Sequence, residues 1–147
     1  MHSVPHILVA DVQQGQARAR QALIGCSVEV VCVDTLADAI ERLQNDRDRF
    51  DLVICGMHFD NSRMFDLLQF IRTHDDLDNV SFVVIREVPP QLSGTVAAVE
   101  QCAPALGACE IVETGAMTED EANQALRDAV EKCLNKPVKE LRKDNIA

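Results

Sequence analysis

A chain of 147 residues, 47% hydrophobic and 26% charged, is long enough for one self-sufficient core and needs neither disulfide staples nor a structural metal. Aromatic residues make up only 3%, all of them Phe, and the net charge is -10, which removes the platform on which nucleobases stack and repels polyphosphate backbones. Nucleic acid is therefore not an expected partner.

In chain order, His6 to Ala10 reads as a buried strand, and Gln13 to Ile24 as a helix stopped at Gly25. Val28 to Val33 is a second, β-branched strand. Asp34 or Thr35 then caps a helix running to about Asp48, with Leu36, Ala39, Ile40 and Leu43 inward. Phe50 to Cys55 is a third strand and Phe65 to Arg72 the core of a third helix. Ser81 to Ile85 is a continuous apolar run, as in a strand covered on both faces of a parallel sheet. After Pro89 and Pro90 comes a weaker helix, Leu92 to Cys102, ending near Pro104 and Gly107. Glu110 to Val112 is a short fifth strand. Thr118 and Glu121 form a capping box for a last helix with the stripe Ala122, Ala125, Leu126, Ala129, Val130 and Cys133.

Five strand–helix alternations predict an α/β fold, a parallel sheet covered on both sides through right-handed crossovers. No low-complexity linker divides the chain. The expected organisation is one domain over 1–134 and a basic tail over 135–147, the tail read as a solvated helix end. The N-terminal apolar run is too short for a signal peptide, and no stretch of about 18 apolar residues could span a membrane. A cytoplasmic protein without a membrane partner is expected. The six cysteines, at 26, 32, 55, 102, 109 and 133, never form Cys-x-x-Cys, and the four histidines are not at ligand spacing with them. They are read mainly as buried small hydrophobes, with no metal site.

Doubly wound sheets carry their functional loops at the carboxyl ends of the strands, here Asp11, Gly56, Arg86 and Glu113 to Thr114. At these places the chain resembles the receiver domain of bacterial response regulators (CheY-like), over roughly residues 5 to 134. His6-Ile-Leu-Val-Ala-Asp11 is similar to the family's opening strand and its acidic end. Asp51-Leu-Val-Ile-Cys-Gly56-Met-His-Phe-Asp60, continued by Phe65-Asp-Leu-Leu-Gln-Phe-Ile-Arg72, follows the family's strand, acceptor loop and third helix without a gap. Gly107-Ala108 matches the turn before the fifth strand. The resemblance implies a flavodoxin-like (βα)5 fold with strand order 2-1-3-4-5.

The departures fall on the chemistry that the resemblance would imply. Receivers hold magnesium with an acidic pair and a phosphoacceptor Asp, because a hard divalent cation needs several oxygen ligands. Here Asp11 is retained, Val12 takes the second acidic place, and Gly56 takes the acceptor position with no side chain to attack phosphorus. Arg86 stands for the phosphate-binding Thr or Ser, Glu87 for a small neighbour, Thr114 for the conserved Lys and Ile111 for the aromatic switch residue.

The expectation is a pseudo-receiver: not an enzyme, without cofactor or metal, acting in phosphorelay signalling by binding a histidine kinase or another signalling protein. Its partner face would fall at about residues 91 to 134, and the same face could pair two copies. Two readings of Arg86 stand side by side: a side chain that compensates the charge of Asp11, or one that simply extends into solvent. One alternative is an atypical phosphoacceptor at Asp60 or His58. Another is a small-molecule or anion sensor in which Gly56 opens a cleft toward Arg86, set against Gly56 as a turn glycine with positive φ. His58 and His74 are expected to be exposed. Met57 and Phe59 would shield the old active site or pack at the sheet edge.

Overall fold

A computed structural model describes residues 4–45, 49–86 and 107–135. The strands are β1 (His6–Ala10), β2 (Glu29–Val33), β3 (Leu52–Gly56), β4 (Ser81–Arg86) and β5 (Glu110–Glu113). The helices of nine or more residues among these are α1 (Gln13–Ala22), α2 (Leu36–Gln44), α3 (Met64–Arg72) and α4 (Glu119–Leu134), with a four-residue turn at Phe59–Ser62 and a 3-10 turn at Asp75–Leu77 between them. All strand pairs are parallel, in the order β2-β1-β3-β4-β5. This is the order that the receiver resemblance implies. The helix expected over Leu92 to Cys102 lies outside the described residues, as does the tail after Asn135.

The central strands are apolar along their length because both sides are covered. Leu8, Ala10, Val53, Cys55, Phe82 and Val84 join one core with residues of α2 and α3. Their neighbours Ile7, Val9, Leu52, Ile54, Val83 and Ile85 join a second with residues of α1 and α4. The alternation is the two-residue period of a strand dividing its side chains between two layers.

Helix ends follow local chemistry. Thr35, not Asp34, caps α2, its Oγ1 accepting from the Asp38 N–H at 3.1 Å. At α4 the Thr118–Glu121 capping box is complete, with bonds of 3.0 and 3.1 Å. Helix α1 ends at Ala22, short of Ile24, because Gly25 turns the chain with a φ of 80°. His74 is half-buried instead of exposed: its ring stacks on Phe70 at 4.0 Å, and its Nδ1 lies 2.6 Å from the Phe70 carbonyl.

The amino ends of β4 and β5 are clipped by Arg72, which donates to the Val80 carbonyl at 2.7 Å and from Nε and Nη2 to Gly107 O at 3.2 and 3.1 Å. Its partly buried guanidinium has a pKa lowered by desolvation, against which the nearby Asp78 acts. Gly107 has a φ of 105°, and a Cβ there would meet the Arg72 side chain at 2.6 to 3.1 Å. Gly107→Ala should therefore lower unfolding stability by about 1–3 kcal/mol in urea titrations followed by circular dichroism.

The cysteines depart in part from expectation. Cys55 is buried, and Cys26 and Cys32 are half-buried against the α1–α4 core, but Cys109 and Cys133 are bonded to each other. The cause is tertiary: α4 packs along β4 and β5, which brings its last turn beside the residue preceding β5.

Candidate functional site

The strand ends meet above the middle of the sheet, where β1 and β3 lie side by side. Asp11 follows β1 directly and is only 5% exposed. One of its oxygens, Oδ1, accepts the Val12 N–H at 2.7 Å, and the carboxylate sits at the start of α1, where unpaired N–H groups and the helix dipole favour an anion. Gln16 ties the same corner down, its Nε2 donating to the carbonyls of Asp11 at 2.9 Å and Val33 at 3.1 Å.

Two glycines make room for this carboxylate. A Cβ placed on either Gly15 or Gly56 would fall well inside van der Waals contact of the Asp11 carboxyl group. Gly56 is an ordinary strand residue, absent from the positive-φ positions, which overturns its reading as a turn glycine. It does not open a cleft either: the space its side chain would need holds Asp11. Gly15 was not singled out from the sequence, though a glycine inside a helix costs about 0.5–1 kcal/mol relative to Ala, and that oddity was the available signal.

Arg86, at the end of β4, is 1% exposed. Its counterion is Glu113, with Nη1 to Oε1 at 2.9 Å, where one reading places Asp11 and the other solvent. The reason is register: Arg86 and Glu113 are direct partners on β4 and β5, so both project to the same side. The contact is ionic and not an aligned hydrogen bond, and Nε and Nη2 have no hydrogen-bond partner. Thr114 is also buried; its N–H donates to Arg86 O at 2.9 Å and its hydroxyl has no partner. Ile111 is half-buried against the α2–α3 core. Glu87 lies outside the described residues.

Breaking this pair should cost more than deleting it. Glu113→Ala leaves a buried guanidinium uncompensated and should lower stability by about 1–3 kcal/mol, reduced from the fully buried case because Glu113 is 39% exposed. Arg86→Met, of similar length and apolar, should stay within about 1 kcal/mol of the parent. Chemical denaturation of the two variants checks the asymmetry.

The loop after β3 is shaped by two anchors. Phe59 is fully buried in the α2–α3 core, and Asp60 Oδ2 accepts the Leu36 N–H at the start of α2 at 2.7 Å. Satisfying both takes Asp60, Asn61 and Ser62 through left-handed backbone, with φ of 46°, 59° and 65°, which Asp and Asn tolerate better than most residues. Met57 packs against the same core, so Met57 and Phe59 are packing residues. His58 is exposed, as expected. Val12, 48% exposed, lines an open cleft of about 550 Å³ with Gln13, Asp34, His58, Asp60, Asn61 and Ser62.

Magnesium does not fit this donor set. Val12 offers hydrocarbon and Gly56 no side chain, which leaves Asp11 alone of the three ligand positions. Among the described residues no group of three or more His, Cys, Asp or Glu is arranged to hold a metal. The field of Asp11 is felt below it: burial first, and then this carboxylate, push the Cys55 thiol well above its ordinary pKa.

No protein-family model matches the chain, and no curated protein matches it in sequence. Solved structures do match in fold, and they are receiver domains. The phosphorylated cyanobacterial phytochrome response regulator RcpA superposes with a TM-score of 0.74 at 17% identity, over 90% of this chain and 95% of that one. The receiver domain of an HD domain-containing protein from Pseudomonas fluorescens Pf-5 gives 0.65 at 20% identity, over 92% and 93%. A response regulator from Thermotoga maritima gives 0.63 at 17% identity, over 90% and 99%. The chain thus has the receiver fold, a five-stranded parallel sheet in flavodoxin-like order. Among its described residues no helix is long and apolar enough to cross a membrane.

Proposed function

We propose that this chain is a receiver-like adaptor of two-component signalling that is not phosphorylated at position 56 and acts by binding another protein. The observation that carries the reading is the Asp11 carboxylate lying against Gly15 and Gly56, in the space an acceptor side chain would require. With no nucleophile at position 56, Asp11 as the single magnesium ligand and Thr114 in place of Lys, the strand ends keep only one of the groups that phosphoryl transfer in a receiver uses. The Arg86–Glu113 pair supplies a permanent charge arrangement where a phosphorylatable receiver has a switchable one. A histidine kinase or another signalling protein is the proposed class of partner, met in the cytoplasm, and a homodimer would use the same face.

Incubation of the full chain with acetyl phosphate and magnesium, read by intact mass, tests the proposal. No phosphoryl gain is expected. A gain mapped to Asp60 or His58 would replace it with an atypical phosphoacceptor, against which stands the engagement of Asp60 with the α2 N–H.

A second reading, a sensor of small anions, is favoured by one observation: the buried Arg86 guanidinium and Thr114 hydroxyl carry unpaired hydrogen-bonding atoms. It predicts a rise in melting temperature with added inorganic phosphate or sulfate that Arg86→Met abolishes. An unchanged melting curve would remove it.

A further inference from the structure

We infer that Cys109 and Cys133 form a reversible thiol–disulfide exchange site, which low-molecular-weight disulfides close and low-molecular-weight thiols open. Cys109 immediately precedes β5 and Cys133 lies in the last turn of α4, 24 residues apart in sequence, with Cα atoms 6.0 Å apart and their sulfurs bonded. That separation is typical for two cysteines joined without backbone movement.

Exposure makes the site chemically accessible. Cys109 is exposed and Cys133 partly so, so an attacking thiolate can reach the bond, the circumstance in which disulfides are labile instead of purely structural. Cys55 and Cys32 are poorer competitors. Cys55 is fully buried, and burial raises the pKa of both Cys55 and Cys32, Arg20 opposing the shift at Cys32; less thiolate means slower exchange.

The surroundings hold the two cysteines in register when the bond is open. Lys132 Nζ lies 2.7 Å from Glu110 Oε1, Ser81 Oγ donates to the Cys133 carbonyl at 2.9 Å, and the Cys109 N–H donates to Phe82 O at 2.7 Å. These contacts bring the end of α4 to the amino ends of β4 and β5 independently of the covalent link, so the reduced protein keeps its fold and recloses readily.

Closure balances as two exchanges. One cysteine thiolate attacks an oxidised glutathione molecule, forming a mixed disulfide and releasing one glutathione thiolate. The second cysteine thiolate then attacks the protein sulfur of that mixed disulfide, forming the Cys109–Cys133 bond and releasing the second glutathione thiolate. The protein loses two electrons, and one glutathione disulfide becomes two thiols. The bond joins the residue before β5 to the last turn of α4, at the opposite end of the strands from Asp11 and Gly56, so its state adds or removes a covalent tie there without touching the pocket.

The test equilibrates the full chain in glutathione buffers of stepped redox ratio, quenches by alkylation, and reads intact mass and peptide maps. Expected is a loss of two alkylated sites at the oxidising end, mapped to Cys109 and Cys133 and regained at the reducing end. The closed form should melt roughly 5–10 °C higher. Amide shifts between the two forms should cluster at 107–113 and 129–135, with Asp11 and Gly56 unmoved. Cys109→Ser should leave Cys133 open to alkylation or to capture of one glutathione, and Cys133→Ser the converse at Cys109, so that one variant failing to fold leaves the other decisive. Full alkylation at every ratio, a bond to a different cysteine, or a bridge that survives excess dithiothreitol in the folded protein would overturn the assignment.

Discussion

Gly56→Asp, which puts a carboxylate at the position proposed to lack an acceptor, should lower stability by about 1–3 kcal/mol and should not make the chain phosphorylatable. The new Cβ enters the volume of the Asp11 carboxylate, so one of two acidic groups must leave a site where one is already buried. Gly56→Ala isolates the steric part and should cost a similar amount. Asp11→Ala alone loses the acceptor of the Val12 N–H and should cost about 1–2 kcal/mol. The double variant Asp11→Ala with Gly56→Ala should cost less than the sum by about 1 kcal/mol or more, because removing the carboxylate empties the space the methyl group needs. Gly15→Ala offers a sign test. In an open helix interior that change stabilises by about 0.5–1 kcal/mol, whereas here it should destabilise, and Asp11→Ala should reverse it. Additive behaviour in denaturant titrations would show that Asp11 does not occupy this space.

Phe59→Ala should be the most damaging single change in the acceptor loop, lowering stability by about 3–5 kcal/mol. Phe59 is fully buried in the core shared by α2 and α3, and its burial holds Asp60, Asn61 and Ser62 in left-handed backbone. Without that anchor the loop should relax to ordinary backbone and Asp60 should release the Leu36 N–H. Asp60→Ala removes only that bond, for about 1 kcal/mol. Thermal unfolding with amide exchange at Leu36 separates the two, since exchange should accelerate in both variants while only Phe59→Ala loses several kcal/mol. Equal losses would show that the helix-capping bond, not the buried ring, holds the loop.

The fold was legible because its signals are local and repeated. Each central strand is an apolar run, which a parallel sheet covered on both faces requires, and Thr118 with Glu121 marked the start of the last helix without ambiguity. Boundaries moved where one residue decided them, as at Gly25. The pocket was legible as a set of positions but not as an arrangement. Gly56 and Val12 depart from the receiver pattern that the sequence resembles, but the departure does not say what fills the space.

That answer depends on Gly15 and Gly56 lying on either side of one carboxylate, a relation between a helix and two strands. The partner of Arg86 depended likewise on the register of β4 against β5, which places Glu113 beside it. The Cys109–Cys133 bond depended on how α4 lies along the sheet. Spacing along the chain carries none of these three facts.

The central claim is that Asp11 has closed the receiver pocket on itself, and the most direct measurement is a magnesium titration followed through the backbone amide signals of Asp11, Val12 and Gly56. The account predicts that these signals stay fixed up to tens of millimolar magnesium, roughly the range where only weak surface screening acts. Saturable, magnesium-dependent shifts centred on these three residues would show that the carboxylate is free to bind a cation and would contradict it.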